Sequence, residues 1–420
     1  MKVLVVGGGG REHAIVWKLS QSPKVTQIYC APGNPGIAEL AECVSIAVSE
    51  IEKIADFAKK EQIDLTFVGP EEPLSLGIVN YFKEQGLAVY GPSKEAALIE
   101  GSKAFAKELM MKYQIPTAKY ASFTTYDEAL AYVLSEGAPI VIKADGLAAG
   151  KGVVVAKTLE EAEEALQSMM KEVSFGSAGA RVVVEEFLEG EELTLLAFVN
   201  RTTVKAMVPA QDHKPVYDGD KGPNTGGMGT YAPLPHIDLS IVEQIIHEIV
   251  EPTAKAMVEE GCPYEGILYT GLMLTKSGPK VIEYNARFGD PETQVVLPLL
   301  ETDLLDILIA SLSGELENVE VKWKDKAAVC VIMSSAGYPG PYEKGQVIKG
   351  LDHVTDPAIV FHAGTTLKDC EMLTNGGRVL GITAIGDHLK EARDLAYQSV
   401  EKVSFKGAHY RTDIGSKAFR

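Results

Sequence analysis

Features of secreted, membrane-spanning and zinc-binding proteins are scarce in this chain. No uninterrupted apolar run approaches the ~20 residues that a membrane helix requires. The short apolar start at residues 3–6 runs directly into glycines, without the longer apolar core of a signal peptide. The five cysteines are scattered, and the absence of a Cys-x-x-Cys pair argues against a zinc site and for a reducing compartment. We therefore expect a soluble, cytoplasmic protein.

Positive charge is also scarce, with 40 Lys and Arg against 58 Asp and Glu and a formal net charge of −18. Because binding to nucleic acid depends on neutralising phosphates with Lys and Arg, this balance argues against such a partner. It leaves nucleotide binding open, since a pocket can be locally basic inside an acidic protein. A chain of 420 residues with 46% apolar residues should form about two to four globular domains.

The stretch 281–294 carries the most chemistry. Glu283, Asn285 and Arg287 follow strand-forming residues at a spacing of two, which in a strand places all three side chains on one face. Carboxylate and amide oxygens suit Mg²⁺, and a guanidinium clamps anions. The segment favours a metal-and-phosphate face, and a solvated strand face with an incidental ion pair is the alternative.

Residues 1–102 are predicted to form a parallel α/β domain, because strand, glycine turn and helix patterns follow one another as in a βαβ unit. Residues 103–326 should form a central domain that contains a small α+β unit at about 117–190. Residues 327–420 turn to short β runs broken by Gly and Pro, and predict a small β-rich domain. The main predicted elements are strands Leu65–Val68, Ile140–Lys143, Val153–Ala156, Lys280–Glu283 and Gln346–Ile348, helices Lys103–Tyr113 and Leu389–Phe405, and a long loop at Gln211–Gly229.

The glycines at residues 7–10 do not complete a dinucleotide-binding fingerprint, which would require glycine where the chain has Glu12. The second strand also lacks the usual acidic residue at its end. A helix N-terminus of this kind suits a single phosphate, with Arg11 adding charge. A phosphorylated substrate and a purely structural turn both remain open, and His13 has the alternative of a packing role.

Two further segments are compatible with a nucleotide. Lys143 ends an apolar strand and precedes a glycine loop that resembles a phosphate lid; it is not a Walker A loop, because Lys151 is followed by Gly152. The apolar strand 182–184 leads into several carboxylates, as in a linker whose backbone contacts adenine while a carboxylate holds ribose. An ordinary glycine-rich hairpin and a solvated acidic turn are the alternatives.

In order along the chain, these segments resemble the ATP-grasp superfamily and, within it, the phosphoribosylamine–glycine ligase (glycinamide ribonucleotide synthetase) family. The segment Gly376–Leu380 extends the match into the last domain. The other matching segments are Gly7–Ala14, Ala31–Gly36, Val68–Leu74, Lys143–Val153, Gln211–Lys214, Gly222–Gly229 and Arg287–Gln294.

The resemblance implies a central ATP-grasp domain with a small mobile lid, between an N-terminal parallel α/β domain and a β-rich C-terminal domain. It implies ATP-dependent ligation of glycine to 5-phosphoribosylamine through glycyl phosphate, an early step of purine synthesis. The substrates are small molecules and the metal is Mg²⁺ or Mn²⁺. We expect a monomer without nucleic-acid or membrane partners.

Residue by residue, the resemblance implies contacts to ATP from Lys103, Lys143, Gly146, Gly150, Lys151, Gly152, Glu185, Glu186, Phe187, Leu188 and Glu192. It implies metal ligation by Glu283 and Asn285. Arg287 should hold the glycine carboxylate, and Asp212 and Asp290 the glycine ammonium. The ribosylamine is expected to contact Gly8, Gly9, Arg11, Glu12, Asn34, Gly226, Gly227 and Met228.

One feature departs from the wider superfamily. Many members carry a second acidic metal ligand on the strand before the Glu-x-Asn motif, whereas residues 269–274 contain no carboxylate here. The metal should then depend on Glu283, Asn285, water and phosphates. Rival functions are a bicarbonate-using ATP-grasp ligase, a dinucleotide-dependent oxidoreductase and a non-catalytic nucleotide sensor.

Overall fold

The computed structural model describes residues 1–146, 152–171 and 181–419. Its first sheet is parallel with the strand order β3-β2-β1-β4-β5, which confirms the predicted α/β domain. The strands are β1 (Lys2–Gly7), β2 (Gln27–Pro32), β3 (Glu42–Cys43), β4 (Leu65–Val68) and β5 (Val89–Tyr90). The helices are α1 (Gly10–Leu19), α2 (Ile51–Glu61), α3 (Glu71–Leu76), α4 (Ile78–Glu84) and α5 (Leu98–Gly101).

A small antiparallel sheet of order β6-β9-β7-β8 follows α6 (Lys103–Lys112). Ser102 caps α6 as predicted, because its hydroxyl accepts from the backbone N–H of Phe105 at 3.1 Å. The strands are β6 (Tyr120–Phe123), β7 (Ile140–Ala144), β8 (Val153–Ala156) and β9 (Val182–Glu186). Helices α7 (Tyr126–Glu136) and α8 (Leu159–Leu166), the latter continued by a π-helical turn at Gln167–Lys171, pack on this sheet around an apolar core of their own.

The central sheet is antiparallel with the order β11-β10-β16-β17. Its last strand ends at Asn285, so Glu283 and Asn285 share one strand face and Arg287 lies beyond the strand. The strands are β10 (Glu191–Asn200), β11 (Thr203–Ala206), β16 (Glu265–Thr275) and β17 (Gly278–Asn285). The neighbouring helices are α9 (Leu239–Ile245), continued by a π-helical turn at Ile246–Val250, α10 (Glu251–Glu259), α11 (Thr293–Leu299) and α12 (Leu304–Leu312).

The C-terminal sheet is antiparallel with the order β12-β15-β18-β22-β19, and it draws on two distant stretches of chain. Two hairpins, β13–β14 and β20–β21, and helix α13 (Leu389–Val400) complete this region. The strands are β12 (Gln211–Asp212), β13 (Pro215–Tyr217), β14 (Lys221–Asn224), β15 (Gly229–Ala232), β18 (Ala327–Ser334), β19 (Ala358–His362), β20 (Thr365–Lys368), β21 (Glu371–Thr374) and β22 (Arg378–Gly386).

Three sequence-based expectations are wrong. The predicted loop at 211–229 contains strands: β12 pairs with β15, whose other edge pairs with β18, and β13 pairs with β14. The predicted strand Gln346–Ile348 does not form; Val347 makes only an isolated bridge to Leu373. The predicted helix at 389–405 ends at Val400. The domain boundaries at 102/103 and 326/327 stay a prediction.

No helix in the described part of the chain has the length and apolar character needed to cross a membrane.

Candidate active site

A cleft of ≈ 460 Å³ opens where the N-terminal, central and C-terminal regions meet. Its walls include Glu71 from the first region, Tyr269 from the central sheet and Tyr338 from the C-terminal region. The predicted site residues that line it are Arg11, Lys103, Lys143, Gly146, Gly152, Glu185, Asp212, Gly226, Glu283, Asn285, Arg287 and Asp290. The fold thus gathers chemistry-bearing segments that lie up to 279 residues apart in the chain.

At one end of the cleft, three lysines surround a buried carboxylate. Lys143 Nζ lies 2.9 Å from Glu185 Oε1 and donates to the carbonyl of Ile282 at 2.9 Å. Lys107 Nζ lies 3.0 Å from the other oxygen of Glu185. Burial lowers the pKa of Lys107 to about 8, although Glu185 opposes that shift. Lys103 donates to the carbonyl of Gly146 at 2.9 Å, so the cationic groups meet the glycine loop here.

Lys107 was not predicted from the sequence. It lies four residues after Lys103 in α6, and residues at this spacing share one helix face. That spacing is the signal that could have identified it. Of the predicted loop contacts, Gly146 and Gly152 line the cleft, whereas Gly150 and Lys151 lie outside the described residues.

The predicted adenine segment borders a second cleft of ≈ 480 Å³, on which Glu186, Phe187 and Leu188 lie; Glu185 borders both clefts. The carboxylate of Glu186 accepts from the backbone N–H of Lys119 at 3.0 Å and from Lys280 Nζ at 3.2 Å. Its side chain is therefore engaged at the outer surface. A backbone contact of this segment with adenine stays a prediction.

Glu283 and Asn285 present oxygen atoms to the first cleft. Within the described part of the chain, the side chain of Glu283 makes no hydrogen bond or ion pair, and the amide oxygen of Asn285 accepts only a long bond of 3.4 Å from Arg287. No group of three or more His, Cys, Asp and Glu side chains in the described ranges is arranged to hold a metal. These two residues therefore fit a hard cation that takes its other ligands from water and phosphates.

Arg287 is held between two carboxylates that the sequence reasoning did not single out as site residues. Its Nε lies 3.2 Å from Glu71, and its Nη2 lies 3.1 Å from Glu100. Burial opposes the charge of Arg287, but Glu100 and Glu71 outweigh burial and raise its pKa. Glu71 falls in the matching segment 68–74, which was the available signal. The guanidinium thus remains charged in the wall of the cleft.

A second group of charges lies beside Glu283. Asp212 lies 3.1 Å from Lys214, which also pairs with Glu192. Glu292 is 2% exposed and accepts from the hydroxyl of Tyr269 at 3.0 Å. Burial, together with the nearby charge of Asp212, raises the pKa of Glu292 to about 7. Of these residues, only Asp212 and Glu192 were predicted from the sequence as site residues.

The first glycine loop is hydrogen-bonded to helix α1, which follows it. The backbone N–H of Gly9 donates to Glu12 at 2.7 Å, and Glu12 also pairs with Arg11 at 2.5 Å. Asn34 donates to the carbonyl of Gly8 at 2.9 Å and to that of His362 at 2.8 Å. Arg11 lines the cleft, while Glu12 and Asn34 fix the loop through these hydrogen bonds.

On the opposite side of the cleft, Gly226 lines the wall but Met228 does not reach it. Met228 is fully buried, and its backbone N–H donates to the carbonyl of His213 at 2.8 Å. Gly227 has a φ of +114° and packs against Pro291. A contact of Gly227 or Met228 with substrate stays a prediction.

The C-terminal region contributes Tyr338 and Arg378, which sequence reasoning did not assign to the site. Arg378 Nη1 donates to the carbonyls of Gly226 and Asp290, each at 2.8 Å. Burial opposes ionisation of Asp290, but the charges of Arg378 and Arg11 outweigh it and lower its pKa. Arg378 belongs to the matching segment 376–380, which was again the available signal.

Comparison with known proteins agrees with this architecture over the whole chain. Models of the phosphoribosylglycinamide synthetase N domain, ATP-grasp (A) domain and C domain match residues 1–100, 101–293 and 328–417. A phosphoribosylamine–glycine ligase of Caldanaerobacter subterraneus is 57% identical over 99% of this chain and 100% of its own length. One from Halalkalibacterium halodurans is 55% identical over 100% and 97%.

Solved structures show the same relationship. The crystal structure of phosphoribosylamine–glycine ligase from Thermotoga maritima matches with a TM-score of 0.86 and 35% identity, covering 99% of this chain and 100% of that one. A biotin carboxylase–β,γ-ATP complex from Campylobacter jejuni shares the fold, with a TM-score of 0.75 at 14% identity over 97% and 92%. The chain belongs to the phosphoribosylamine–glycine ligase (phosphoribosylglycinamide synthetase) family of ATP-grasp enzymes.

Proposed function

We propose that this chain catalyses the ATP-dependent ligation of glycine to 5-phosphoribosylamine, giving glycinamide ribonucleotide, ADP and phosphate. The observation that carries the proposal is that Lys103, Lys143, Glu283 and Arg287 line the same cleft. Full-length identity of 57% to a phosphoribosylamine–glycine ligase supports the choice of substrates. The reaction is an early step of purine synthesis.

In the first step, a carboxylate oxygen of glycine attacks the γ-phosphorus of ATP. The bond from that phosphorus to the β–γ bridging oxygen breaks, ADP leaves, and glycyl phosphate forms. This step brings two anions together, so the protein must position them and offset their charge. Lys103 and Lys143, which line the glycine-loop end of the cleft, would contact the phosphates of ATP.

In the second step, the amine nitrogen of the ribosylamine attacks the carbonyl carbon of glycyl phosphate. The carbon–oxygen bond to phosphate breaks, the amide forms, and the nitrogen loses a proton that the departing phosphate can accept. No side chain has to form a covalent bond. The contribution of the chain is to hold three substrates in line and to exclude water from the acyl phosphate.

Glu283 and Asn285 would hold Mg²⁺, or Mn²⁺, whose charge would offset that of the ATP phosphates when it is bound. Arg287 would receive the glycine carboxylate and then the acyl phosphate. For this contact its guanidinium must turn a donor from Glu71 or Glu100 towards the cleft. Structures of more distant relatives, such as a 2-oxoglutarate carboxylase domain with MgADP, support a magnesium nucleotide in this fold.

The glycine ammonium would lie near Asp212, where Glu283 and Glu292 add negative charge. Asp290 is the second candidate, although Arg378 already pairs with it. The remaining proposed contacts follow the predicted sets: Gly146, Gly150, Lys151 and Gly152 over the triphosphate, Glu185, Glu186, Phe187 and Leu188 at adenine, Glu192 at ribose, and Gly8, Gly9, Arg11, Glu12, Asn34, Gly226, Gly227 and Met228 at the ribosylamine.

We further propose that the protein is cytoplasmic, since the free cysteines suit a reducing compartment. We also propose that it is a monomer. Light scattering coupled to size exclusion tests the monomer.

A phosphate-release assay with substrates omitted one at a time tests the function. Rapid release should require ATP, glycine and phosphoribosylamine together. Release with bicarbonate in place of glycine would indicate a carboxylating relative and contradict the proposal.

A further inference from the structure

The arginines that line the cleft differ in how far their donors are used. Arg11 pairs with Glu12 at 2.5 Å and donates to the carbonyl of Phe288 at 3.2 Å. Arg287 is paired with Glu71 and Glu100, as described above. Both positive charges are therefore largely offset within the protein itself. A phosphate of the sugar substrate needs a cation with donors to spare.

Arg378 meets this requirement through its geometry. Its Nη1 alone is engaged, with the carbonyls of Gly226 and Asp290 and, at 3.4 Å, with the Asp290 carboxylate. Within the described residues, Nε and Nη2 make no hydrogen bond and no ion pair. These two atoms form one edge of the guanidinium fork, and such an edge donates two parallel hydrogen bonds to a phosphate.

The surroundings hold this fork in place and keep it accessible. A Cβ atom built at Gly226 would lie 3.0 Å from Cζ of Arg378, so glycine at that position leaves room for the guanidinium. The Arg378 side chain lines the cleft and is 20% exposed. Tyr338 lies beside it, with its hydroxyl accepting from the backbone N–H of Gly226 at 3.1 Å.

The same corner of the cleft borders the first glycine loop. A Cβ atom built at Gly9 would lie 3.7 Å from Oδ2 of Asp290, whose Oδ1 lies 3.4 Å from Arg378. Asp290 therefore separates the loop from the fork, and it also accepts from Gln294 at 2.9 Å. Because the Asp290 carboxylate repels anions, a phosphate in this corner requires the free edge of Arg378.

We propose that Arg378 binds the 5-phosphate of the sugar substrate through its Nε–Nη2 edge. The C-terminal region thereby supplies the phosphate contact in the corner of the cleft where Asp290 borders the first glycine loop. This inference rests on the proposed function and adds to it the residue that recognises the phosphate group.

The test measures binding of ribose 5-phosphate and of ribose without ATP or glycine, and the KM values for all three substrates. Arg378→Gln should weaken ribose 5-phosphate binding about tenfold or more and raise the KM for phosphoribosylamine similarly. Binding of ribose and the KM values for ATP and glycine should change less than about threefold. Arg378→Lys keeps the charge but loses the fork. Its ribose 5-phosphate affinity and its KM for phosphoribosylamine should lie between those of Arg378→Gln and wild type.

Lys368→Gln is the matched control, because it removes one exposed positive charge from a hairpin of the same region. It should leave every value unchanged. Unchanged ribose 5-phosphate binding in Arg378→Gln would overturn the inference, and so would an equal rise in all three KM values, which indicates a merely structural role. If wild type itself bound no ribose 5-phosphate, the failure would lie with the proposed function instead.

Discussion

Gly271 and Glu283 lie directly opposite each other on the antiparallel strands β16 and β17. A Cβ atom built at Gly271 would lie 3.3 Å from Cγ of Glu283, so a larger residue there would crowd the carboxylate. The neighbouring strand thus leaves space for Glu283 but contributes no acidic ligand beside it. The sequence-based expectation of a metal site poor in protein ligands stays a prediction.

Glu283→Gln should reduce turnover at least about 100-fold, because it removes the negative charge from the two proposed metal ligands, Glu283 and Asn285. The fold should be retained, since the side chain of Glu283 makes no hydrogen bond or ion pair among the described residues. Turnover and thermal unfolding would be measured together at several Mg²⁺ concentrations. Glu320→Gln, at an exposed site, is the control. Near-normal turnover of Glu283→Gln in excess Mg²⁺ would rule out the metal assignment.

Lys143→Met should weaken ATP binding about tenfold or more, since a cation at the phosphates is removed. The variant should still fold, because Glu185 keeps its ion pair with Lys107 at 3.0 Å. A titration with ATP provides the measurement. Lys112→Met removes an exposed lysine of α6 that pairs with Glu260 and lines neither cleft, and it should bind ATP normally. An unchanged ATP affinity in Lys143→Met would contradict the phosphate contact.

Glu292 should make stability depend on pH. Folding raises its pKa from 4.5 to about 7, so between these values the folded protein binds more protons than the unfolded chain. Its contribution to stability is therefore present below pH 4.5 and is lost as the pH rises through about 7. Such a shift corresponds to about 3 kcal/mol at full ionisation.

Glu292→Gln should therefore raise the thermal midpoint above that of wild type by more at pH 8 than at pH 5. The measurement is the thermal midpoint of both proteins at each pH. Parallel pH profiles for the variant and wild type would show that this carboxyl does not titrate in the window.

Gly227→Ala should damage both stability and the use of the sugar substrate. At a φ of +114°, a Cβ atom would also lie 2.5 Å from Cδ of Pro291, next to Asp290. Gly261→Ala is a matched control with a φ of +76° and nothing within 4 Å. Both variants lose about 1 kcal/mol or more from the backbone strain. Only Gly227→Ala should also lower kcat/KM for phosphoribosylamine; equal kinetics in the two variants would contradict the substrate contact.

Local sequence patterns predicted helices and strands well where the residues of the segment itself show the apolar pattern or the cap. Strand Leu65–Val68 and strand Val153–Ala156 form with the predicted bounds, and α6 begins at its Ser102 cap. The segment 211–229 was misjudged because its strands pair with one another and with β15, which itself pairs with β18 far along the chain. Local composition there is rich in turn residues, and only the tertiary pairing overrides it.

The same distinction holds for the site. Lys103, Lys143, Glu283 and Arg287 could be recognised because each ends or follows a patterned segment. Glu71 and Arg378 fall in matching segments, but their places in the site, like that of Glu100, arise from contacts between regions more than 80 residues apart. Charge compensation of this kind depends on the assembled fold and leaves no periodic mark in the sequence.

The central claim is that the cleft activates the carboxylate of glycine by transfer of the γ-phosphoryl group. Glycine labelled with ¹⁸O in its carboxylate would be converted with unlabelled ATP and phosphoribosylamine, and the released phosphate analysed by mass spectrometry. Transfer through glycyl phosphate predicts one ¹⁸O atom in each phosphate released from fully labelled glycine. Release of unlabelled phosphate together with the ligated product would contradict the account.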